Sequence, residues 1–306
     1  MARVVVTRRL PFPALERARE AHDLTEWPGQ LPPPPDVLRE LLADAEGALC
    51  LLTDRIDATV LDAAPRLRVI SNYAVGADNV DLDEARRRGI AVGVTPGVLT
   101  EATADLAMAL ILAAARRLPE AAIDVHAGNW HTWEPAGWLG LELRGATLAV
   151  VGHGRIGEAV AERARAFGMD VLPVGRDTPL RDALAEADVI SLHVPLTPET
   201  HHLIDAEALA STKPGAILVN TARGGLVDTA ALLEALDDGR LAAAALDVTD
   251  PEPLPPDHPL LRHPNVLVVP HIGSATHATR ERMAELAVDN LLAGLEGRPL
   301  PHPAGG

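Results

Sequence analysis

Residues 147–171 read TLAVVGHGRIGEAVAERARAFGMDV: an apolar run, a group of spaced glycines, and then a helical stretch. TLAVVG reads as a buried strand, and RIGEAVAERARAFG reads as the helix it leads into. Between them, Gly152-His153-Gly154-Arg155-Ile156-Gly157 fits the G-x-G-x-x-G fingerprint of a dinucleotide site in the strand–turn–helix context that gives it meaning. Gly152 permits the tight turn, Gly154 lets the backbone approach a pyrophosphate, and Gly157 lets the helix pack on the strand. Arg155 and Ile156 open the helix, whose unpaired N–H groups and partial positive charge suit a diphosphate.

Working outward, short β-like runs alternate with helix-like ones, the pattern of parallel sheets covered on both faces. Downstream lie DVLPVG (170–175), DVISLHVP (188–195), GAILVNTARG (215–224), LAAAALDVT (241–249) and NVLVVPHIG (265–273), the later strands of a nucleotide domain. Upstream, RVVVT (3–7), EGALCLL (46–52), LRVIS (67–71) and IAVGV (90–94) are strand candidates, with helical stretches at 35–44, 57–64 and 81–88. TEATADLAMALILAAARRL (100–118) predicts one long apolar helix with Thr100 as N-cap. A last helix from Thr276 to about Gly297 would return the chain to its first half. The expected fold is α/β: a doubly wound parallel Rossmann sheet over 100–275, and a second, flavodoxin-like α/β substrate domain formed by 1–99 plus 276–306.

Bulk properties narrow the function. At 47% hydrophobic and 23% charged, the composition is that of a globular protein. No apolar stretch reaches the length of a membrane span, and MARVVVTRRL reads as a first strand and not as a signal sequence, so a cytoplasmic location is expected. A net charge of −16 argues against nucleic acid as a partner, because phosphate backbones select basic surfaces. Cys50 stands alone, which excludes an internal disulfide and a thiolate metal site.

The fingerprint calls for an Asp or Glu about 20 residues on, to hold the ribose 2′-hydroxyl of NAD. Here the second strand ends in Val174-Gly175-Arg176-Asp177-Thr178. Glycine at 175 removes the repulsion of a 2′-phosphate, and Arg176 offers it a charged fork. NADP(H) is therefore the expected cofactor; NAD(H), with Asp177 on the ribose, is the alternative.

Hydride transfer to a 2-keto acid needs a cation for the carboxylate, a proton donor for the carbonyl oxygen, and an acid that orients the donor and favours its charged form. One residue of each type follows a strand. Arg223 lies in the turn Thr221-Ala222-Arg223-Gly224-Gly225, Asp247 and Glu252 lie in LDVTDPEPL, and His271 follows Pro270. Each is expected at the carboxyl end of its strand, facing a cleft between domains.

These residues carry a family resemblance. NTARGGLVD, AALDVTDPEPL and VVPHIGSAT, with the fingerprint upstream, resemble the D-isomer-specific 2-hydroxyacid dehydrogenases. VTPGVLTEATADLA, VGRD, LDVTDPEPLPPDHPLLRHPNVLVVPHIGSATHATRERM and DNLLAGLEGRPLP are similar to their glyoxylate/hydroxypyruvate reductase branch. The resemblance implies that Arg223 binds the substrate carboxylate, His271 donates the proton, and Glu252 supports His271. It places the substrate also against the backbone of Val75 and Gly76 and near Ser274. It assigns the cofactor to Thr103, Pro195, Thr221, Asp247 and Gly273 besides the fingerprint, and implies NADPH where a Gly-Arg pair replaces the acid. A small 2-keto acid is then the substrate, with glycolate or D-glycerate as product.

Trp130, Trp133 and Trp138 sit between the long helix and the fingerprint, and the resemblance implies a homodimer contact there, with Trp138 reaching the partner. His193, His201 and His202 in HVPLTPETHH read as loop and surface residues whose spacing fits no zinc pattern, and no metal is expected. Other functions compatible with the same residues are a 3-phosphoglycerate dehydrogenase, a 2-ketogluconate-type reductase, and an NAD(H)-sensing corepressor-like binding protein without turnover.

Overall fold

A computed structural model describes residues 1–305, and both sheets in it are parallel. The chain divides into two units, Met1–Leu99 with the segment from Ala275 onward, and Thr100–Ser274.

The first unit runs β1 (Arg3–Val6), α1 (Ala14–Ala21), β2 (Asp23–Glu26), α2 (Pro35–Leu42), β3 (Gly47–Cys50), α3 (Ala58–Asp62), β4 (Val69–Asn72), α4 (Leu82–Arg87) and β5 (Ala91–Gly93). Its strand order is β2-β1-β3-β4-β5, the flavodoxin-like order. β2 is a strand the sequence does not announce. DLTE has no apolar run, and pairing with β1 alone (Arg3↔Asp23 to Val6↔Glu26) makes it an edge strand.

The second unit runs α5 (Thr100–Ala115), α6 (Leu118–His126), β6 (Thr147–Val151), α7 (Arg155–Ala166), β7 (Asp170–Val174), α8 (Leu180–Glu186), β8 (Val189–Leu192), α9 (Ala206–Ser211), β9 (Ala216–Asn220), α10 (Thr229–Asp237), β10 (Leu241–Leu246) and β11 (Val266–Val268). Strand order is β11-β10-β9-β8-β6-β7, reversing direction at β6–β8 as a doubly wound nucleotide sheet does. One apolar cluster, including Leu192, Leu218 and Leu246, covers one face; another, including Val150, Val219 and Ala245, meets α5 and α7 on the other. Burial on both faces explains why these strands read as continuous apolar runs and not as alternation.

The predicted helix 100–118 is two helices. Arg117 takes a left-handed backbone (φ 53°), and Pro119 has no N–H to continue the ladder, so the chain breaks at 116–117 and restarts as α6. Thr100 stands inside α5 and not before it. The last helix, α11 (His277–Leu295), is capped by Thr276, whose hydroxyl accepts from the Thr279 N–H, and packs on β3, β4 and β5 of the first unit.

Candidate active site

The register of the second sheet sets out the site. Val174, Val151, Leu192, Asn220, Leu246 and Val268 form one row across β7, β6, β8, β9, β10 and β11. The next residue on each strand is therefore Gly175, Gly152, His193, Thr221, Asp247 and Val269, a single carboxyl edge. Six strands of unrelated local sequence deliver their ends together because the sheet is parallel. Ligands of such sheets bind at this edge, near the point where strand order reverses.

At the fingerprint, two glycines are required by the protein itself. A Cβ on Gly152 (φ 96°) would lie 2.7 Å from the backbone of His193 and Val194, and one on Gly157 would lie 2.1 Å from the Gly152 carbonyl oxygen. Gly154 is different. Its Cβ would meet nothing within 4 Å, so the protein's packing gives no reason for glycine there, and close approach of a ligand does. Gly154 is the N-cap of α7 and no side chain caps that end, leaving the first N–H groups and the positive end of the helix dipole for an anion. Arg155 and Ile156 form the first turn. Thr221 Oγ1, on the same edge, is buried with no partner among the described residues. An open glycine, an uncapped helix and an orphaned hydroxyl on one edge fit a dinucleotide.

Gly175 follows β7 and is joined to the fingerprint through the Gly152 N–H, which donates to the Val174 carbonyl (2.9 Å). A Cβ on Gly175 would also meet nothing, and Gly175, Arg176 and Asp177 are exposed in a turn closed by Thr178 N–H on the Gly175 carbonyl (3.2 Å).

His271 Nδ1 lies 2.6 Å from Glu252 Oε1. Asp247 builds the turn that presents the imidazole. Its carbonyl accepts from the His271 N–H (2.9 Å), while its two carboxylate oxygens accept from Ile272 (2.6 Å) and Gly273 (2.8 Å) N–H groups. His271 has φ 52°, a left-handed backbone that costs a non-glycine residue about 1 kcal/mol and persists only where its surroundings impose it. Gly273 closes the turn: its carbonyl accepts from Thr103 Oγ1 (3.2 Å), and a Cβ there would come within 3.1 Å of Asp247 Oδ2. Burial, the largest influence, pushes the Asp247 carboxyl above its usual range; the Ile272 and Gly273 N–H groups and His271 act against it, and Glu252 adds to it.

Arg223 leaves β9 through a clamp made by buried Asn220. Asn220 Oδ1 accepts from Ala222 N–H (3.0 Å) and its Nδ2 donates to the Arg223 carbonyl (2.8 Å). The neighbouring glycine brings this turn against the Glu252 loop, since a Cβ on Gly224 would lie 2.0 Å from the Thr249 carbonyl group. Glu252 Oε2 accepts from Thr249 N–H (3.4 Å). Arg223, Glu252 and His271 are thus held by one connected piece of structure.

Asn220 and His193 are residues the sequence reading missed. His193 is not a surface loop residue: its Nε2 is 2.8 Å from Ser191 Oγ, and burial lowers its pKa to about 4. A polar residue one step after a strand's last apolar position is the signal for both. Pro195 lies two residues beyond His193, with its carbonyl accepting from Thr200 Oγ1 (2.7 Å), and Ser274 directly follows Gly273. In the first unit, Val75 is exposed in the loop after β4 and Gly76 is half-buried beside it. Among the described residues no group of three or more His, Cys, Asp or Glu side chains is gathered as for a metal, and no helix is long and apolar enough to cross a membrane.

Residues 108–273 match the family described as D-isomer specific 2-hydroxyacid dehydrogenase, NAD binding domain. A glyoxylate reductase of Korarchaeum cryptofilum is 48% identical over 98% of this chain and 95% of its own length. A solved structure from Thermus thermophilus is 56% identical, with TM-score 0.91 over 99% of both chains. Another, an NADPH-dependent glyoxylate/hydroxypyruvate reductase from Sinorhizobium meliloti in complex with NADP and malonate, is 33% identical, with TM-score 0.85 over 99% of this chain and 97% of that one. The chain belongs to the D-isomer specific 2-hydroxyacid dehydrogenases, two-domain α/β oxidoreductases with a nicotinamide cofactor.

Proposed function

We propose that this protein reduces a small 2-keto acid, glyoxylate or hydroxypyruvate, to glycolate or D-glycerate, with NADPH as the preferred donor. The observation that carries the reading is the His271–Glu252 pair at 2.6 Å on the same rigid turn system as Arg223. The similarity to reductases of that printed activity supports it.

The cofactor supplies a hydride to the carbonyl carbon when bound. Residues 152–157, Thr103, Pro195, Thr221, Asp247 and Gly273 would hold it. Arg223 pairs with the substrate carboxylate as a bidentate cation and fixes which face of the carbonyl is presented, hence the D product. His271 Nε2 gives its proton to the carbonyl oxygen as that oxygen becomes an alkoxide. Glu252 holds Nδ1, which turns Nε2 toward the substrate. The Val75–Gly76 backbone would add N–H groups, with Ser274 close by. The unit built from β1 to β5 and α11 takes the substrate role, and the unit 100–274 the nucleotide role.

Preference for NADPH rests on Gly175 and Arg176. Open space at Gly175 leaves room for a 2′-phosphate, and Arg176 next to it carries the matching charge. We place the protein in the cytoplasm as a homodimer. α6 buries none of its residues, and Ile123, Trp130, Trp133 and Leu139 are each more than two-thirds exposed, an apolar surface fit for a second copy.

The deciding experiment follows loss of reduced-nicotinamide absorbance with glyoxylate and hydroxypyruvate, each with NADPH and NADH. Fast oxidation with NADPH well ahead of NADH is expected. A lead for NADH would transfer ribose binding to Asp177, and no turnover with either would remove the reductase reading.

A further inference from the structure

In the loop after β4, Tyr73 and Ala74 donate their N–H groups to the Cys50 and Asn72 carbonyls, but from there to Ala77 the turn is fastened by its carbonyls. Asn72, fully buried at the last position of β4, donates from Nδ2 to the Gly76 carbonyl (2.8 Å). At the other side of the turn, Thr95 N–H donates to the Ala74 carbonyl (2.8 Å). The 74–75 and 76–77 peptide bonds are trans, so the N–H of each peptide points opposite to its C=O. Pulling the Ala74 and Gly76 carbonyls toward the sheet therefore turns the Val75 and Ala77 N–H groups away from it. Among the described residues the N–H groups of Val75, Gly76 and Ala77 have no protein acceptor. The Val75 and Ala77 N–H groups so displayed, with the unbonded Gly76 N–H between them, offer donors to an anion.

Asn72 is itself braced. Its Nδ2 also donates to Asn79 Oδ1 (2.9 Å), and Asn79 Nδ2 reaches the carbonyls of Asp54 (2.9 Å) and Leu51 (3.1 Å). Asp54, buried, accepts from Leu51 N–H (2.7 Å) and from the Thr7 hydroxyl, so the brace runs back to the end of β1. Asn72 and Asp54 are buried and Asn79 is half-buried, an expensive set of polar groups for holding one surface loop.

We propose that Asn72, braced by Asn79, is a positioning residue for the substrate carboxylate, aligning the Val75, Gly76 and Ala77 N–H groups as its binding cradle. The inference rests on the reading of Val75–Gly76 as a substrate-binding turn. Asn72 touches no substrate; it acts through the Gly76 carbonyl.

The test is steady-state kinetics of full-length Asn72→Ala and Asn79→Ser, with Ser71→Ala as control. Ser71 is a buried neighbour on β4 whose hydroxyl donates to the Ala287 carbonyl (2.7 Å) and not to the loop. Weakened carboxylate binding that is the same in ground and transition states raises KM at constant kcat. Asn72→Ala should raise the KM for glyoxylate about tenfold, with kcat and the KM for NADPH within about twofold. Asn79→Ser should change it in the same direction by less, and it decides the matter if Asn72→Ala does not fold. An unchanged glyoxylate KM, or an equal rise in Ser71→Ala, overturns the positioning role. Gly76→Pro, which removes one cradle N–H, separates the two levels. If its KM for glyoxylate is unchanged, the substrate-binding turn itself is wrong; if it rises while the asparagine variants stay normal, only the positioning role is wrong.

Discussion

His271 Nδ1 and Glu252 Oε1 stand 2.6 Å apart although 19 residues separate them, and neither is placed by its own element. The turn carrying His271 hangs from Asp247 through three hydrogen bonds, one from the His271 N–H to its carbonyl and two from the Ile272 and Gly273 N–H groups to its carboxylate, and the Glu252 loop is pressed on Gly224. The pair thus inherits its geometry from β9 and β10, two central strands whose ends are in register. A side chain fixed in this way loses little entropy on meeting a ligand.

His271→Ala should lower kcat by about 10²- to 10⁴-fold, the range for loss of a general acid. Glu252→Gln should cost less, because the ring keeps a hydrogen-bond partner but not a charge. NADPH affinity by fluorescence titration should stay normal in both. Near-normal turnover of His271→Ala would remove it as donor.

Arg176→Ala should raise the KM for NADPH about ten- to a hundredfold, the worth of a charge-assisted hydrogen bond to phosphate, and leave that for NADH nearly unchanged. Parallel effects on both cofactors would make Arg176 a bystander.

The fingerprint glycines should separate by assay. Gly157→Ala meets the Gly152 carbonyl at 2.1 Å, so overpacking should lower Tm by about 5 °C. Gly154→Ala meets no protein atom and should leave Tm unchanged while weakening cofactor binding. The opposite assignment would mean that the dinucleotide does not pass over Gly154.

His193 gives the fold an acid sensitivity. Its folded pKa of about 4 lies below the ordinary 6.5, so between those values the unfolded chain takes up a proton that the folded one refuses. Stability is complete above pH 6.5 and falls as pH drops toward 4, by on the order of 3 kcal/mol. His193→Gln should flatten that part of the curve of Tm against pH. Identical acid slopes in the two proteins would show that other groups govern it.

Ile123→Asp on α6 should convert the protein to monomers in size-exclusion chromatography with light scattering, since a carboxylate there would have to be buried unpaired. A wild-type monomer would remove the homodimer reading, and an unaffected dimer would move the interface elsewhere.

The sequence by itself determined the kind of fold and which side chains are candidates for the chemistry. Apolar runs alternating with helical stretches already specify parallel sheets, and a G-x-G-x-x-G between a strand and a helix already specifies a dinucleotide turn, because both signals are local. Chemistry likewise picks out Arg223, Glu252 and His271 from their types and their places after strands. The tertiary structure decided what depends on neighbours distant in sequence. β2 is a strand only because β1 lies beside it, and the helix starting at Thr100 ends at Ala115 because Arg117 and Pro119 turn the chain. Asn220 and Asn72 look like ordinary polar residues until the structure shows which carbonyls and N–H groups they hold, and Asp247, already a candidate by type and place, is seen to hold the His271 turn only there. Residue type sets what a side chain can do, whereas the hydrogen-bond partner that aims it is fixed by packing, and packing is not a local property of the chain.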